Sequence, residues 1–412
     1  MTSHILVLGA GMVGSCTALH LALRGHAVTL VDRREPGRET SYGNAGIIQR
    51  EAVEPYAFPR QVGKLLRVAL KQGADVNYHL AALPRLAAPL ARYWAASQPQ
   101  RHARIARDHA ALIAHATTEH QQLITLADAG ALVRRQGYRW VFRSPAALDA
   151  ASAQACRLAE AHGLRIELLD AAGMARAEPA LRRPVAGGVH WLDPWTVADP
   201  GELVARYAQA LVQHGGRLLR GDATSLAAAG SGWKVRTDEG EVQAGQAVIA
   251  LGPWSDALLQ RLGYRYPLFV KRGYHRHYRS ATPPQVSLYD LEAGLVMGPM
   301  RQGVRVTTGA EFAALDAAPT PVQMQRAEAL ARELVDLGPP AEPEPWMGAR
   351  PCTADMLPLI GAAPRHRGLW LNLGHAHQGF TLGPVSGRLL AELVDGRTPV
   401  VDPAPYAPTR FG

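Results

Sequence analysis

The chain reads as an α/β protein with an open, mostly parallel sheet, joined to a second α+β part that carries an antiparallel sheet. Three observations predict this. The first 32 residues run strand, glycine turn, helix, strand. A second buried strand, 247–251, runs into a glycine turn much later in the chain. Residues 267–311 alternate apolar and polar residues in strand-length runs.

The opening stretch sets the frame. Ile5-Leu6-Val7-Leu8 is a short buried strand, and Gly9, Gly11 and Gly14 follow as Gly-x-Gly-x-x-Gly. Gly9 suits a tight turn, Gly11 lets a pyrophosphate approach bare backbone, and Gly14 lets the helix pack on the strand. The helix over 15–24 closes at Gly25. Its N-terminus offers amides and a positive dipole end to phosphates, with Met12 and Val13 of the turn before it as further cofactor-binding candidates. The next strand, 27–31, ends at Asp32, placed to bond a ribose hydroxyl, with Arg33 beside it. This predicts a Rossmann-like dinucleotide-binding domain.

Bulk numbers narrow the class. A chain of 412 residues holds two domains. There is no apolar run of about 18 residues to span a membrane. The first strand begins at Ile5, which leaves no room for a signal peptide. Cys16, Cys156 and Cys352 are scattered and odd in number, as suits a reducing cytoplasm. The net charge of +9 comes mostly from arginine, with only four lysines. Its basic residues read as dispersed, which argues against nucleic acid. Peripheral contact with an anionic inner-membrane surface stays open.

The remaining elements follow in order. The loop 39–46 is rich in small residues, and Ser41, Asn44, Ala45 and Gly46 lie beside the dinucleotide crevice. Residues 51–130 read mostly as helix, with one long amphipathic helix over 101–129. Its His102, His109, His115 and His120 read as solvated. A strand over 139–142, a helix over 145–161 and an irregular β segment over 185–199 come next. Asp199-Pro200 opens a helix to 213. A strand at 217–220 and a hairpin over 233–244 precede the buried strand at 247–251. Its turn, with Gly252 and Trp254, faces the crevice. A helix over 321–337 and a proline connector lead to the last part. There Trp346 to Pro351 precedes a strand at 369–373, a loop over 375–384 and a helix over 385–393. The domain ranges read as 1–50, 200–256 and 346–412 for the cofactor part, and 51–199 and 257–345 for the substrate part.

Taken in order, the opening fingerprint, Thr40-Ser41-Tyr42-Gly43-Asn44-Ala45-Gly46, Ala250-Leu251-Gly252-Pro253-Trp254-Ser255, Arg350-Pro351 with 355–361, and Gly374-His375 before the last helix carry a resemblance. The chain resembles the FAD-dependent D-amino acid oxidase superfamily, most closely its bacterial D-amino acid dehydrogenase branch. The resemblance implies a Rossmann-like FAD-binding domain, a substrate domain and noncovalent FAD. It implies that Gly374, His375, Gly379, Phe380 and Thr381 face the flavin's pyrimidine end, where a helix dipole stabilises negative charge. It assigns Arg350 to the substrate carboxylate, since a guanidinium fork suits a carboxylate. Tyr274 and His377 are its further catalytic candidates. The implied reaction is oxidative deamination of D-amino acids to 2-oxo acids and ammonia, with electrons passed to a quinone or respiratory acceptor. Secondary or cyclic amino acids, of the sarcosine, glycine, D-proline or D-hydroxyproline type, are the alternative. Family members acting on glycine-like substrates often carry a second arginine after the final Gly-His, where this chain has His377 and Gln378. His275-x-His277 and His375-x-His377 lack a third ligand, so no metal is expected.

Overall fold

The computed structural model describes residues 3–71 and 73–411. The extreme positions of the domain ranges, 1, 2 and 412, and position 72 lie outside them. The parallel core runs in the order Arg217–Ala229, Ala27–Asp32, His4–Leu8, Gln246–Ile249, Leu369–Leu373. The His4–Leu8 strand sits centrally because four of its five residues are fully buried aliphatics. Antiparallel strands extend both edges: the Gly232–Thr237 and Gly240–Ala244 hairpin on one side, Leu359–Ala362 on the other. The first strand therefore pairs with the next strand of the chain on one side and with a strand from the middle of the chain on the other. That makes the crevice at its carboxyl end a topological switch point.

A second sheet has ten strands, of which Phe269–Tyr278 pairs with three others. The Trp346–Cys352 strand, assigned above to the cofactor part, pairs antiparallel with Phe269–Tyr278 instead. A three-stranded sheet of Ile47–Ile48, Trp195–Val197 and Val133–Arg134 ties the loop after Asn44 to the second part.

Two helix expectations need correction. The long helix over 101–129 is two helices, Pro99–Ile113 and Ala116–Leu126, broken at His115. His109 and His120 are buried rather than solvated. His109 faces the Val53 carbonyl, and His120 faces Tyr207 and Phe380. The last helix starts at Gly379, not at 385, and carries Pro384 inside it.

That proline explains the local design. A residue at 384 would normally donate its amide to the Phe380 carbonyl, and proline cannot. His120 Nε2 donates to that carbonyl at 2.9 Å in its place. The Tyr207 hydroxyl donates to His120 Nδ1 at 3.0 Å, which sets the tautomer. Burial pulls His120 down to about 4, so it stays neutral at pH 7.

Candidate active site

The crevice is lined first by glycine. Gly9 has φ +105°, and a Cβ there would lie 2.5 Å from the Ala250 carbonyl oxygen. A Cβ on Gly14 would lie 1.8 Å from the Gly9 carbonyl oxygen. Neither position admits a side chain. Gly11 differs: a Cβ there meets only Ser41 Oγ, at 3.4 Å. Its bare backbone opens on the crevice. The Met12, Val13 and Gly14 amides head the Met12–Leu23 helix, with no carbonyl a turn before them. Met12 donates to Ser41 Oγ at 3.0 Å. Asp32 holds the turn, accepting from the Ala10 amide at 2.6 Å and the Arg34 amide at 3.1 Å. Arg33 lies over the Trp254 ring at 4.3 Å and pairs with Glu39. One wall is thereby built from two distant loops, with Gly252 turning the second at φ +55°.

The 41–46 loop is locked from both sides. Asn44 Oδ1 accepts from the Gly46 amide at 2.8 Å. A Cβ on Gly46 would stand 2.5 Å from the Val197 carbonyl oxygen. Buried Arg305 donates to the Tyr42 and Asn44 carbonyls. Ala45 packs against the main core.

The terminal helix, Gly379–Val394, lies against the opening helix through two glycines. A Cβ on Gly383 would be 2.5 Å from Met12 Cγ, and one on Gly387 would be 2.8 Å from the Thr17 amide nitrogen. A Cβ on Gly379 would come within 4.0 Å of Val13 Cγ2. Two helix N-termini therefore converge on the crevice, each a positive dipole end. Gly374, at φ +80°, turns the chain into this corner. Thr381 Oγ1 accepts from the Gln49 amide at 3.2 Å. Gln378 donates to Gln49 at 3.0 Å, and its own side-chain oxygen is buried without a partner. The His375 ring turns inward to Ser386 Oγ at 3.0 Å, and burial pulls it down to about 3. His375 therefore lines the corner through its backbone.

Arg350, the residue expected to meet the substrate carboxylate, lies on the second sheet. It stands directly across from Lys271 in the Phe269–Tyr278 and Trp346–Cys352 pair. Arg350 donates to the Gly309 carbonyl at 3.1 Å and the Arg272 carbonyl at 3.3 Å. Among the described residues no carboxylate forms an ion pair with it. Burial holds it below the usual arginine range, while Cys352, Tyr56 and Tyr289 favour its charge.

His377 is brought to this group, its ring 4.9 Å from that of Tyr56. Burial and then the charges of Lys271 and Arg350 hold His377 well below the imidazole range. Tyr274 is not brought here, which corrects that candidate. It lies one residue out of phase with Lys271 and Gly273, on the opposite face of the strand. Its hydroxyl donates to Glu311 at 2.8 Å and accepts from the Thr320 amide at 2.8 Å, among Arg272 and Glu311. The tyrosines that act electrostatically on Arg350 are Tyr56 and Tyr289. Glu51 is a further addition. It accepts from Tyr138 and Gln49, each at 2.8 Å, and burial raises its carboxyl to about 7. Tyr56 sits in a proline-flanked aromatic stretch without periodicity, so the sequence offers no signal for it. Lys271 offers a weak one, as one of four lysines in an arginine-rich chain.

A model of FAD-dependent oxidoreductases, the DAO family, matches residues 4–393. The chain belongs to that family. It is 33% identical to a D-amino-acid oxidase of Bradyrhizobium diazoefficiens, with 99% of each chain covered. It is 31% identical to a D-amino acid dehydrogenase of Chromohalobacter salexigens, again over 99% of each. A glycine oxidase from Geobacillus kaustophilus shares the fold, with a TM-score of 0.73 at 22% identity over 99% of each chain. The DAO-family chain fits its cofactor on its own geometry. Gly11 leaves the backbone bare, two helix N-termini converge, and a buried amide oxygen on Gln378 awaits a donor. Among the described residues no group of three or more His, Cys, Asp and Glu could hold a metal. No helix among them is long and apolar enough to cross a membrane.

Proposed function

We propose that this oxidoreductase deaminates D-amino acids oxidatively to 2-oxo acids and ammonia, passing electrons to a quinone or another acceptor. One observation carries the reading: Arg350 is a half-buried guanidinium with no acid paired to it, set among neutral Tyr56, Tyr289 and His377. Such a group is a binding site for a carboxylate. The D-configuration comes from the full-length relatives' activities.

FAD is held noncovalently in this reading. Met12, Val13 and Gly14 take the pyrophosphate, Asp32 and Arg33 the adenosine end, and 41–46 with 374–381 the flavin end. Cys352 is buried, faces the Arg350 carbonyl and is raised as a thiol by burial, and His375 is engaged with Ser386. Neither is free to bond a flavin. When bound, FAD accepts two electrons and the substrate Cα hydrogen. Arg350 fixes the carboxylate and so the Cα–H direction. Tyr56 and Tyr289, both held protonated, present phenol groups to the same end. His377 is too weak a base to store a proton and lines the cavity as a neutral ring. That avoids a third positive charge facing the substrate ammonium. The chain also works at an anionic membrane surface as a peripheral protein.

Anaerobic mixing with D-, L- and N-methyl amino acids tests the substrate class. Bleaching of the yellow protein by D-amino acids is the expected result. Bleaching by N-methyl or L-amino acids alone would replace the reading.

A further inference from the structure

We propose that residues 62–94 form the face by which this protein docks on an anionic lipid surface. This rests on the peripheral contact just proposed, and it does not depend on the substrate class.

The helix Val62–Ala69 has its apolar stripe on the outside. Val62, Leu66 and Leu70 recur every fourth residue and are 79%, 59% and 58% exposed. A surface helix of a soluble fold turns such a stripe to the core. Leu80, Leu83 and Trp94 are exposed as well. Six of the eleven large exposed apolar side chains among the described residues fall in this stretch. Hydrogen bonds stitch its pieces into one layer. Tyr78 donates to the Ala69 carbonyl at 2.8 Å, and Arg60 donates to the Trp94 carbonyl at 2.9 Å.

Charge selects the partner. From 55 to 107 the sequence has nine Lys and Arg against one acid, Asp75. Within 62–94 itself the count is five, Lys64, Arg67, Lys71, Arg85 and Arg92, against that one acid, so this stretch carries +4 of the net +9, a local excess that the reading of a dispersed charge missed. Arg60 lies over the Trp94 ring at 3.9 Å and Lys71 over the Tyr78 ring at 4.5 Å. Neither these two nor Arg85 and Arg92 pair with an acid among the described residues. Apolar side chains flanked by unpaired cations match an interfacial anchor, whose apolar face enters the headgroup boundary. A second copy of the chain would set like charge against like charge. Nucleic acid would leave the aliphatic stripe unburied.

The inner side of this layer meets the residues around Arg350 that are proposed above to bind the substrate. Tyr93 donates to the Tyr56 carbonyl at 2.7 Å, Lys271 reaches the Tyr93 hydroxyl at 3.3 Å, and Tyr56 rests on His377. Docking therefore places Tyr56 and His377 on the bilayer side of the protein, where an apolar electron acceptor would dissolve.

Co-sedimentation of the full-length, FAD-loaded protein with vesicles tests this. Phosphatidylglycerol vesicles should pellet it at low salt, and phosphatidylcholine vesicles should not. The double variant Leu66→Glu, Leu70→Glu should bind phosphatidylglycerol at least about tenfold more weakly, with its melting temperature and dye-coupled turnover unchanged. Arg85→Glu with Arg92→Glu should weaken binding and flatten its salt dependence. No binding, equal binding to both lipids, or full binding by the leucine variant would overturn the proposal. So would a wild-type dimer in light scattering that the leucine variant abolishes. Phosphatidylglycerol binding without turnover of any D-amino acid would sink the substrate reading and leave this one standing.

Discussion

Two single side chains carry distinct tests: Arg350, proposed above to take the substrate carboxylate, and His120, which holds the terminal helix. Arg350→Lys keeps the charge and loses the fork. KM for the amino acid should rise roughly 10- to 100-fold with a smaller change in kcat, since charged hydrogen bonds are worth about 1.5–3 kcal/mol. Steady-state kinetics would remove Arg350 from its role if KM held still. His120→Ala would leave the Phe380 carbonyl with neither the amide of residue 384 nor an imidazole. An orphaned buried acceptor costs about 1–3 kcal/mol. The melting temperature should fall and FAD should bind more weakly, both readable by flavin fluorescence. His120→Gln retains a donor and should recover part of each. Equal losses in both variants would mean that packing, not the hydrogen bond, is at stake.

At the scale of elements, two helices placed side by side make the cofactor corner. Their approach depends on Gly383 and Gly387, and the two positions differ. At Gly387 the clash is with the Thr17 and Cys16 backbone, which cannot step aside; at Gly383 it is with Met12 Cγ, which a change of rotamer can move, while the Met12 backbone stands at 3.3 Å. Gly387→Ala should therefore destabilise by about 1–3 kcal/mol and shed FAD, with Gly383→Ala milder. Thermal melts of the holo- and apoproteins measure both, and the reverse ranking would refute the packing argument. The same scale explains Tyr274. Strand alternation puts it on the Glu311 face, and no sequence pattern states which face of a mostly buried strand turns toward Arg350.

For the whole molecule, buried titratable groups pull stability in opposite directions with pH. Glu51 holds its proton to about 7 in the fold, against an ordinary 4.5. Between those values the folded chain binds more protons than the unfolded one, so stability falls as pH rises. Glu51→Gln should flatten the melting profile from pH 4.5 to 7; an unchanged slope would show that Glu51 is ionised throughout. His109 and His120 act the other way, each lowered from 6.5 to about 4. There the unfolded chain binds the extra protons, so stability is lost as pH falls through that window. Differential scanning calorimetry of His109→Gln should show a shallower acid limb.

Residues 5 to 32 determined the dinucleotide crevice by themselves. Turn chemistry, strand burial and helix start are local, and each is written in adjacent residues such as Gly9, Gly14 and Asp32. The antiparallel sheet was legible for the same reason, whereas Arg350 was singled out only by the family resemblance. Three features came only from tertiary structure: the tyrosines that act on Arg350, the partner of the Phe380 carbonyl, and the outward face of Val62, Leu66 and Leu70. Each depends on which distant element covers a given face. Local periodicity states that a face exists, and only packing decides whether it meets protein, substrate or lipid.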